Sequence, residues 1–107
     1  EPDRVLRLLL PPSLSMTMGK AMAQTGHAGM IAAALMADGA SDALSRWIAA
    51  GCPAHVDTLD QTSFAQYCAL LADPASAWRE HRLLAVRDAG FTEVDPGTIT
   101  VIAIAPA

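Results

Sequence analysis

Four segments of the chain have the hydrophobic pattern of β-strands. The first, RVLRLLL at residues 4–10, is a continuous apolar run that ends at two prolines, which is typical of a buried strand. AHVDTL at residues 54–59 alternates between apolar and polar positions, HRLLAVRD follows at residues 81–88, and TITVIAI at residues 98–104 is rich in β-branched residues. We predict all four as strands.

Three segments between these strands have the spacing and the end signals of helices. The first covers residues 19–37 and is followed by Asp-Gly, and the second covers residues 41–51 and ends at a glycine. The third begins at a cap formed by Asp60 or Thr62 and continues until an Asp-Pro pair. Residues 74–80, PASAWRE, receive no assignment from the pattern.

This order of elements predicts an α/β fold. The succession strand, helix, helix, strand, helix, strand, strand is typical of layered domains in which helices cover a sheet. The last two strands are joined by about nine residues, which predicts an antiparallel pair. With 107 residues, 52% of them hydrophobic and 17% charged, the chain is predicted to form a single domain over residues 1–107.

Composition narrows the possible classes of function. No apolar run approaches the ~18 residues of a membrane span and no signal segment opens the chain, so we expect a cytoplasmic protein that does not associate with membranes. Cys52 and Cys68 stand alone, which predicts two buried structural thiols without a disulfide and no metal site. The net charge of −4 means that any binding of nucleic acid depends on a local patch, such as Arg79, Arg82 and Arg87.

Polar residues that are distant in sequence are expected to meet at one edge of the sheet. In α/β folds, sites form outside the carboxyl ends of parallel strands. The first strand leads to the helix that carries Lys20, the only lysine of the chain, and the third strand ends at Asp88. If these two strands are parallel, Lys20 and Asp88 share an edge, to which the start of an antiparallel fourth strand adds Thr98 and the preceding loop adds Thr92.

The first predicted helix carries a polar stripe on an otherwise apolar surface. Lys20, Gln24 and His27 are spaced i, i+4, i+7, which places them on one face. A lysine near a helix N-terminus opposes the helix dipole, and a carboxylate across a cleft would offset this cost. The same stripe is equally consistent with the solvated side of a surface helix. Asp88 is also consistent with a turn residue, and Thr98 and Thr100 with ordinary strand positions.

Two longer segments resemble one protein family. MGKAMAQTGHA at residues 18–28 resembles the Met-Gly-Lys…Ala-Gln-x-x-His-Ala segment of the type 2 peptidyl-tRNA hydrolases. RDAGFTEVDPGTITVIAIAP at residues 87–106 resembles their Asp-Ala-Gly-x-Thr-x-x-x-Pro-Gly-Thr-x-Thr-Val-x-x-Ile-Gly-Pro segment. LSRWIAAGCPAHV at residues 44–56 is a weaker match to the helix and second strand of the family. The resemblance extends over nearly the whole chain.

The resemblance implies a fold, an activity and a set of functional residues. The fold would be a three-layer α/β sandwich around a four-stranded mixed sheet, and the activity would be hydrolysis of the ester between peptide and tRNA in peptidyl-tRNA, without metal or organic cofactor. Family members are often homodimers. The functional residues fall on Lys20, Gln24, His27, Asp88, Thr92 and Thr98.

Ester hydrolysis gives each of these groups a possible task. Asp88 would orient or deprotonate a water, Lys20 would stabilise the oxyanion or hold the terminal ribose and phosphate, and Thr92 and Thr98 would donate hydrogen bonds. Gln24, with His27 and Arg87, would bind the substrate. The sequence does not decide which group is the base.

The acidic composition supports an alternative function. Family members usually present a basic face to tRNA, whereas this chain has a net charge of −4 and one lysine. Phe91 also stands where an arginine is frequent, and Ala105 where glycine is usual. The alternative is a non-enzymatic domain of the same fold that acts through protein–protein contacts.

Overall fold

The fold is an α/β arrangement in which helices cover both faces of one mixed sheet. A computed structural model describes residues 4–88 and 97–107. The elements are β1 (Leu6–Leu10), α1 (Met18–Gly39), α2 (Ser41–Ala49), β2 (Ala54–Thr58), α3 (Gln61–Leu71), α4 (Pro74–His81), β3 (Leu83–Arg87) and β4 (Ile99–Ile104). The predicted α/β class and four-stranded mixed sheet are confirmed.

The strand order places the ends of β1 and β3 at the same edge of the sheet. The order is β2-β1-β4-β3, with β1 parallel to β2 and β4 antiparallel to both β1 and β3. Because β1 and β3 each oppose β4, they are parallel to each other. Their carboxyl ends and the start of β4 therefore meet at one edge, as the sequence predicted for this part of the chain.

The hydrophobic core has two layers, one on each side of the sheet. Successive residues of β1 point to opposite faces, so that Leu8 belongs to one layer and Leu9 to the other. The Leu8 layer contains Ala28 and Ala32 of α1, both fully buried, whose small side chains let the helix lie close to the sheet. The Leu9 layer contains Leu71 of α3 and the buried residue Ala77 of α4. These contacts produce the three-layer sandwich.

Helix α4 was not predicted, although its end signals are present in the sequence. Asp73 caps the helix by accepting a hydrogen bond from the Ser76 backbone N–H at 3.2 Å, and Pro74 occupies the first turn. Arg82, with φ 55°, ends it in the left-handed region. The strand predicted to begin at residue 81 consequently begins at Leu83. The segment is short and has few apolar positions, which is why periodicity did not reveal it.

Burial differs from the expectation at the cysteines, and the predicted strand β2 has no buried residue. All five residues of β2 are exposed, Val56 by 57%, because β2 lies at the edge of the sheet. The prediction of two buried cysteines was wrong. Cys52 is exposed and Cys68 is half-buried; both are free thiols, as predicted. Cys52 follows Gly51 in a turn where both residues have positive φ.

The N-cap of α3 provides a test of pH-dependent stability. The Ser63 backbone N–H donates to Asp60 Oδ1 at 2.7 Å, and this bond holds the pKa of Asp60 below its ordinary value of 3.8. A lowered folded-state pKa stabilises the fold above the ordinary pKa, and the contribution is lost as the pH falls through the folded value. Asp60→Asn, which caps without a charge, is expected to have a slightly lower Tm than the parent at pH 7. The gap should close as the pH falls below 3.8 and through the lowered pKa of the folded state. Thermal unfolding across this range checks it, and a gap that does not change with pH would contradict it.

No helix in the described ranges is long and apolar enough to cross a membrane.

Candidate active site

A buried ion pair joins the first turn of α1 to the end of β3. Lys20 Nζ donates a hydrogen bond to Asp88 Oδ1. The two side chains are 9% and 2% exposed, so the carboxylate is almost completely removed from water. The residues are separated by 68 positions in sequence and meet because β1 and β3 end at the same edge of the sheet. This is the geometry expected from the sequence for Lys20 and Asp88.

Backbone hydrogen bonds fix the carboxylate at this edge. The Asp88 backbone N–H donates to Thr98 O at 2.9 Å, and the Gly97 N–H donates back to Asp88 O at 2.9 Å. Thr98 is half-buried and directly precedes β4, so it lies beside Asp88 across the end of the sheet. The pairing of β3 with β4 therefore fixes the backbone position of Asp88.

Gln24 extends the contact from Asp88 to His27. Gln24 Nε2 donates to Asp88 Oδ1 at 3.3 Å, and Gln24 Oε1 lies 2.9 Å from His27 Nδ1. An amide oxygen only accepts, so His27 carries its hydrogen on Nδ1 when this bond is formed. Gln24 is 4% exposed, whereas His27 is exposed to solvent. Gln24 is therefore not on the solvated side of a surface helix. Asp88 does not act only as a turn residue, because its carboxylate contacts Lys20 and Gln24.

The same contacts explain why the single lysine stands at a helix N-terminus. Thr17 caps α1 and accepts from the Lys20 backbone N–H at 3.2 Å, so Lys20 lies within the first turn. A cation there meets the positive end of the helix dipole at a cost of about 0.3–1 kcal/mol. The adjacent Asp88 carboxylate supplies the opposite charge at a distance where the attraction exceeds that cost. Thr17 was not singled out in the sequence, although a threonine three residues before Lys20 is a recognisable cap signal.

One protein-family model matches nearly the whole chain. The family model described as peptidyl-tRNA hydrolase PTH2 matches residues 5–107. The chain belongs to this family. The match confirms the resemblance found in the sequence and relates the chain to a translation-associated hydrolase family. A comparison with curated proteins finds no match.

Three further residues considered in the sequence of this PTH2 family member are Arg87, Thr92 and Thr100. Arg87 is exposed, and its Nη1 donates to Gly97 O at 3.3 Å, which keeps a positive charge on the strand end next to Asp88. Thr92 lies outside the described residues. Thr100, in contrast, is fully buried and donates to Val86 O at 3.3 Å, a bond that ties β4 to β3.

The described part of this PTH2 domain contains no group of three or more His, Cys, Asp and Glu side chains that could hold a metal ion. The groups that do converge are an ammonium, a carboxylate and a carboxamide. Such a set can bind a polar carbonyl, orient a water and accept or donate a proton.

Proposed function

We propose that this chain hydrolyses the ester that joins a peptide to the 3′ end of tRNA, with Lys20 and Asp88 at the centre of the reaction. The observation that carries the proposal is the ion pair between these residues, buried at the carboxyl edge of the sheet in a member of a peptidyl-tRNA hydrolase family. A buried charge pair is expensive to maintain, and removal of water strengthens its action on a bound carbonyl.

The chemistry requires a base for water and a cation for the oxyanion. A water held by the Asp88 carboxylate attacks the ester carbonyl carbon as the carboxylate accepts its proton. The negative charge that develops on the carbonyl oxygen faces the Lys20 ammonium. Collapse of the tetrahedral intermediate breaks the bond to the ribose oxygen, which leaves as a hydroxyl by taking up the proton that Asp88 accepted from water. The products are a peptide with a free carboxylate and a tRNA with a free 3′ end.

The neighbouring polar groups position the Lys20 and Asp88 side chains and the substrate. Gln24 donates to Asp88 and contacts His27, so it orients the carboxylate and links the reaction centre to an exposed ring. We assign to Thr98 and Thr92 the donation of hydrogen bonds to the substrate. Arg87, exposed next to Asp88, is assigned to a phosphate of the tRNA end.

The charge of the chain sets an expectation for tRNA affinity. A net charge of −4 leaves only a few arginines to neutralise phosphates, so binding should be weak and should fall steeply with added salt. We propose that the reaction needs no cofactor and takes place in the cytoplasm, where peptidyl-tRNA is released from ribosomes.

The direct test is release of a labelled peptide from a purified peptidyl-tRNA at low enzyme concentration. We expect turnover with multiple cycles per molecule, stronger at low ionic strength. A parallel reaction uses the same peptide joined to the nucleotide end by an amide in place of the ester. This substrate controls for peptidase contamination. Absence of release from the ester at any salt concentration would overturn the proposal.

One observation favours the alternative of a non-enzymatic domain that acts through protein contacts. Three methionines of α1 are strongly exposed: Met18 at 79%, Met22 at 67% and Met30 at 64%. Exposed methionines are common on adaptable protein-binding surfaces, and a homodimer would be one way to cover them. Multiple-turnover hydrolysis in the assay above would exclude this alternative as the sole function.

A further inference from the structure

An open groove lies between α1, α4 and the outer edge of β3. Ile31 and Leu35 of α1 form one wall, Trp78 of α4 forms the other, and Leu83, Leu84 and Ala85 of β3 form the floor. We call this the β3 groove. Its volume is about 570 Å³, and Ile31 is 38% exposed.

Both α1 and β3 extend from the β3 groove to the Lys20–Asp88 pair. On α1, Ile31 and Leu35 continue the i, i+4, i+7 stripe of Lys20, Gln24 and His27. On the sheet, the floor at Ala85 is three residues before Asp88, about 10 Å along an extended strand. A linear substrate held at the ion pair could therefore extend into the groove.

The chemistry of the groove fits a peptide and not a nucleic acid. Its walls are aliphatic and aromatic, and Arg79 is the only charged side chain among the described residues that line it. An RNA strand carries a negative charge at every nucleotide and would need several cations. A peptide requires apolar surface and backbone hydrogen bonds, both of which this groove can supply.

The floor of the groove is an edge strand with outward-facing backbone groups. Among the described strands, β3 pairs only with β4. Arg82 O accepts from Ala105 N–H and Asp88 N–H donates to Thr98 O, both on the β4 side. In an antiparallel ladder alternate residues face the partner, so the backbone groups of Ala85, which is half-buried, and of Arg87, which is exposed, face away from β4.

From these observations we infer that the β3 groove binds the peptide part of peptidyl-tRNA as an added strand, an inference that rests on the proposed function. The ester-bearing end of the peptide must lie at Asp88, which follows the carboxyl end of β3, so the peptide runs parallel to β3. Main-chain pairing makes the interaction tolerant of peptide sequence. At about 3.3 Å per residue, the chain reaches the groove at about its third residue from the ester.

The inference makes binding depend on peptide length. We expect KM for a peptidyl-tRNA carrying an acetylated pentapeptide to be about tenfold lower than for one with an acetylated dipeptide, at similar kcat. Ile31→Gln should remove this difference by raising only the pentapeptide KM. Met30→Gln is the matched control, because Met30 is the adjacent residue of α1, is 64% exposed and does not line the groove.

A backbone variant tests the strand pairing separately. Ala85→Pro removes the outward N–H at an edge position, where proline is tolerated, and should raise the pentapeptide KM about as much as Ile31→Gln. Ala85→Ser keeps the N–H, so, unlike Ala85→Pro, it should still give a lower KM for the pentapeptide than for the dipeptide.

Three results would overturn the inference, and they are distinguishable. Equal KM values for dipeptide and pentapeptide would show that the groove is not used. A rise in KM for both substrates in Ile31→Gln would place the tRNA there instead. Lack of hydrolysis of both substrates by the unaltered protein would overturn the proposed function, and the groove inference with it.

Discussion

Replacement of Lys20 by methionine is expected to lower kcat for peptidyl-tRNA hydrolysis by about 10²–10³-fold. Methionine has nearly the same length and volume as lysine but no charge, so the oxyanion loses its closest cation in a water-excluded site. Lys20→Arg is expected to recover little, because the guanidinium is planar and larger and cannot occupy the position of a compact ammonium. Single-turnover rates at saturating enzyme would measure the chemical step directly.

The matched control is Arg46→Met, which removes one positive charge from the exposed surface of α2. It lowers the net charge by the same amount and is expected to change KM only slightly and kcat not at all. Asp88→Asn keeps the shape of the carboxylate and removes its basicity, with an expected loss of about 10²–10⁴-fold in kcat. If Lys20→Met retained the kcat of the parent, Lys20 would have no part in the chemistry.

The second large effect concerns stability. Asp88 is buried with a side-chain exposure of 2%, so Lys20→Met removes the ammonium that faces a buried carboxylate. Breaking a buried pair in this way typically costs about 3–5 kcal/mol of the free energy of unfolding. Asp88→Asn is expected to cost less, because the Lys20 stem can move its ammonium towards water.

The double variant Lys20→Met, Asp88→Asn should be more stable than Lys20→Met alone, with a coupling free energy of about 2–3 kcal/mol. Urea unfolding of the four proteins measures this coupling. Single effects that add within about 0.5 kcal/mol would contradict a direct interaction. Because the double variant is expected to be folded yet inactive, it also separates loss of catalysis from loss of structure.

Some features of the site follow from local patterns in the sequence. Lys20, Gln24 and His27 were placed on one face by the 3.6-residue period of a helix, which acts within a single element. Asp88 was placed at the end of a strand by the change from apolar residues to Asp-Ala-Gly. The partner strand of β3 was predicted as antiparallel because the loop was short.

Other features required the tertiary structure. The bond between Gln24 and Asp88 joins residues 64 positions apart, and no period in the sequence encodes such a distance. The burial of Gln24, which spacing alone could not distinguish from a solvated position, follows from the packing of α1 against β4 and β3. The exposure of Cys52, which the sequence predicted to be buried, is likewise seen only in the folded chain.

The sequence by itself determined which segments form strands and long helices, and which chemical groups this protein can bring to the end of its sheet. Only the tertiary structure decided that the carboxylate is buried against the ammonium, that β2 is exposed, and that β3 is an edge strand beside an apolar groove. The reason is physical: the alternation of side chains is set by neighbouring residues, whereas strand order and the desolvation of a charge are set by elements that meet only when the whole chain has folded.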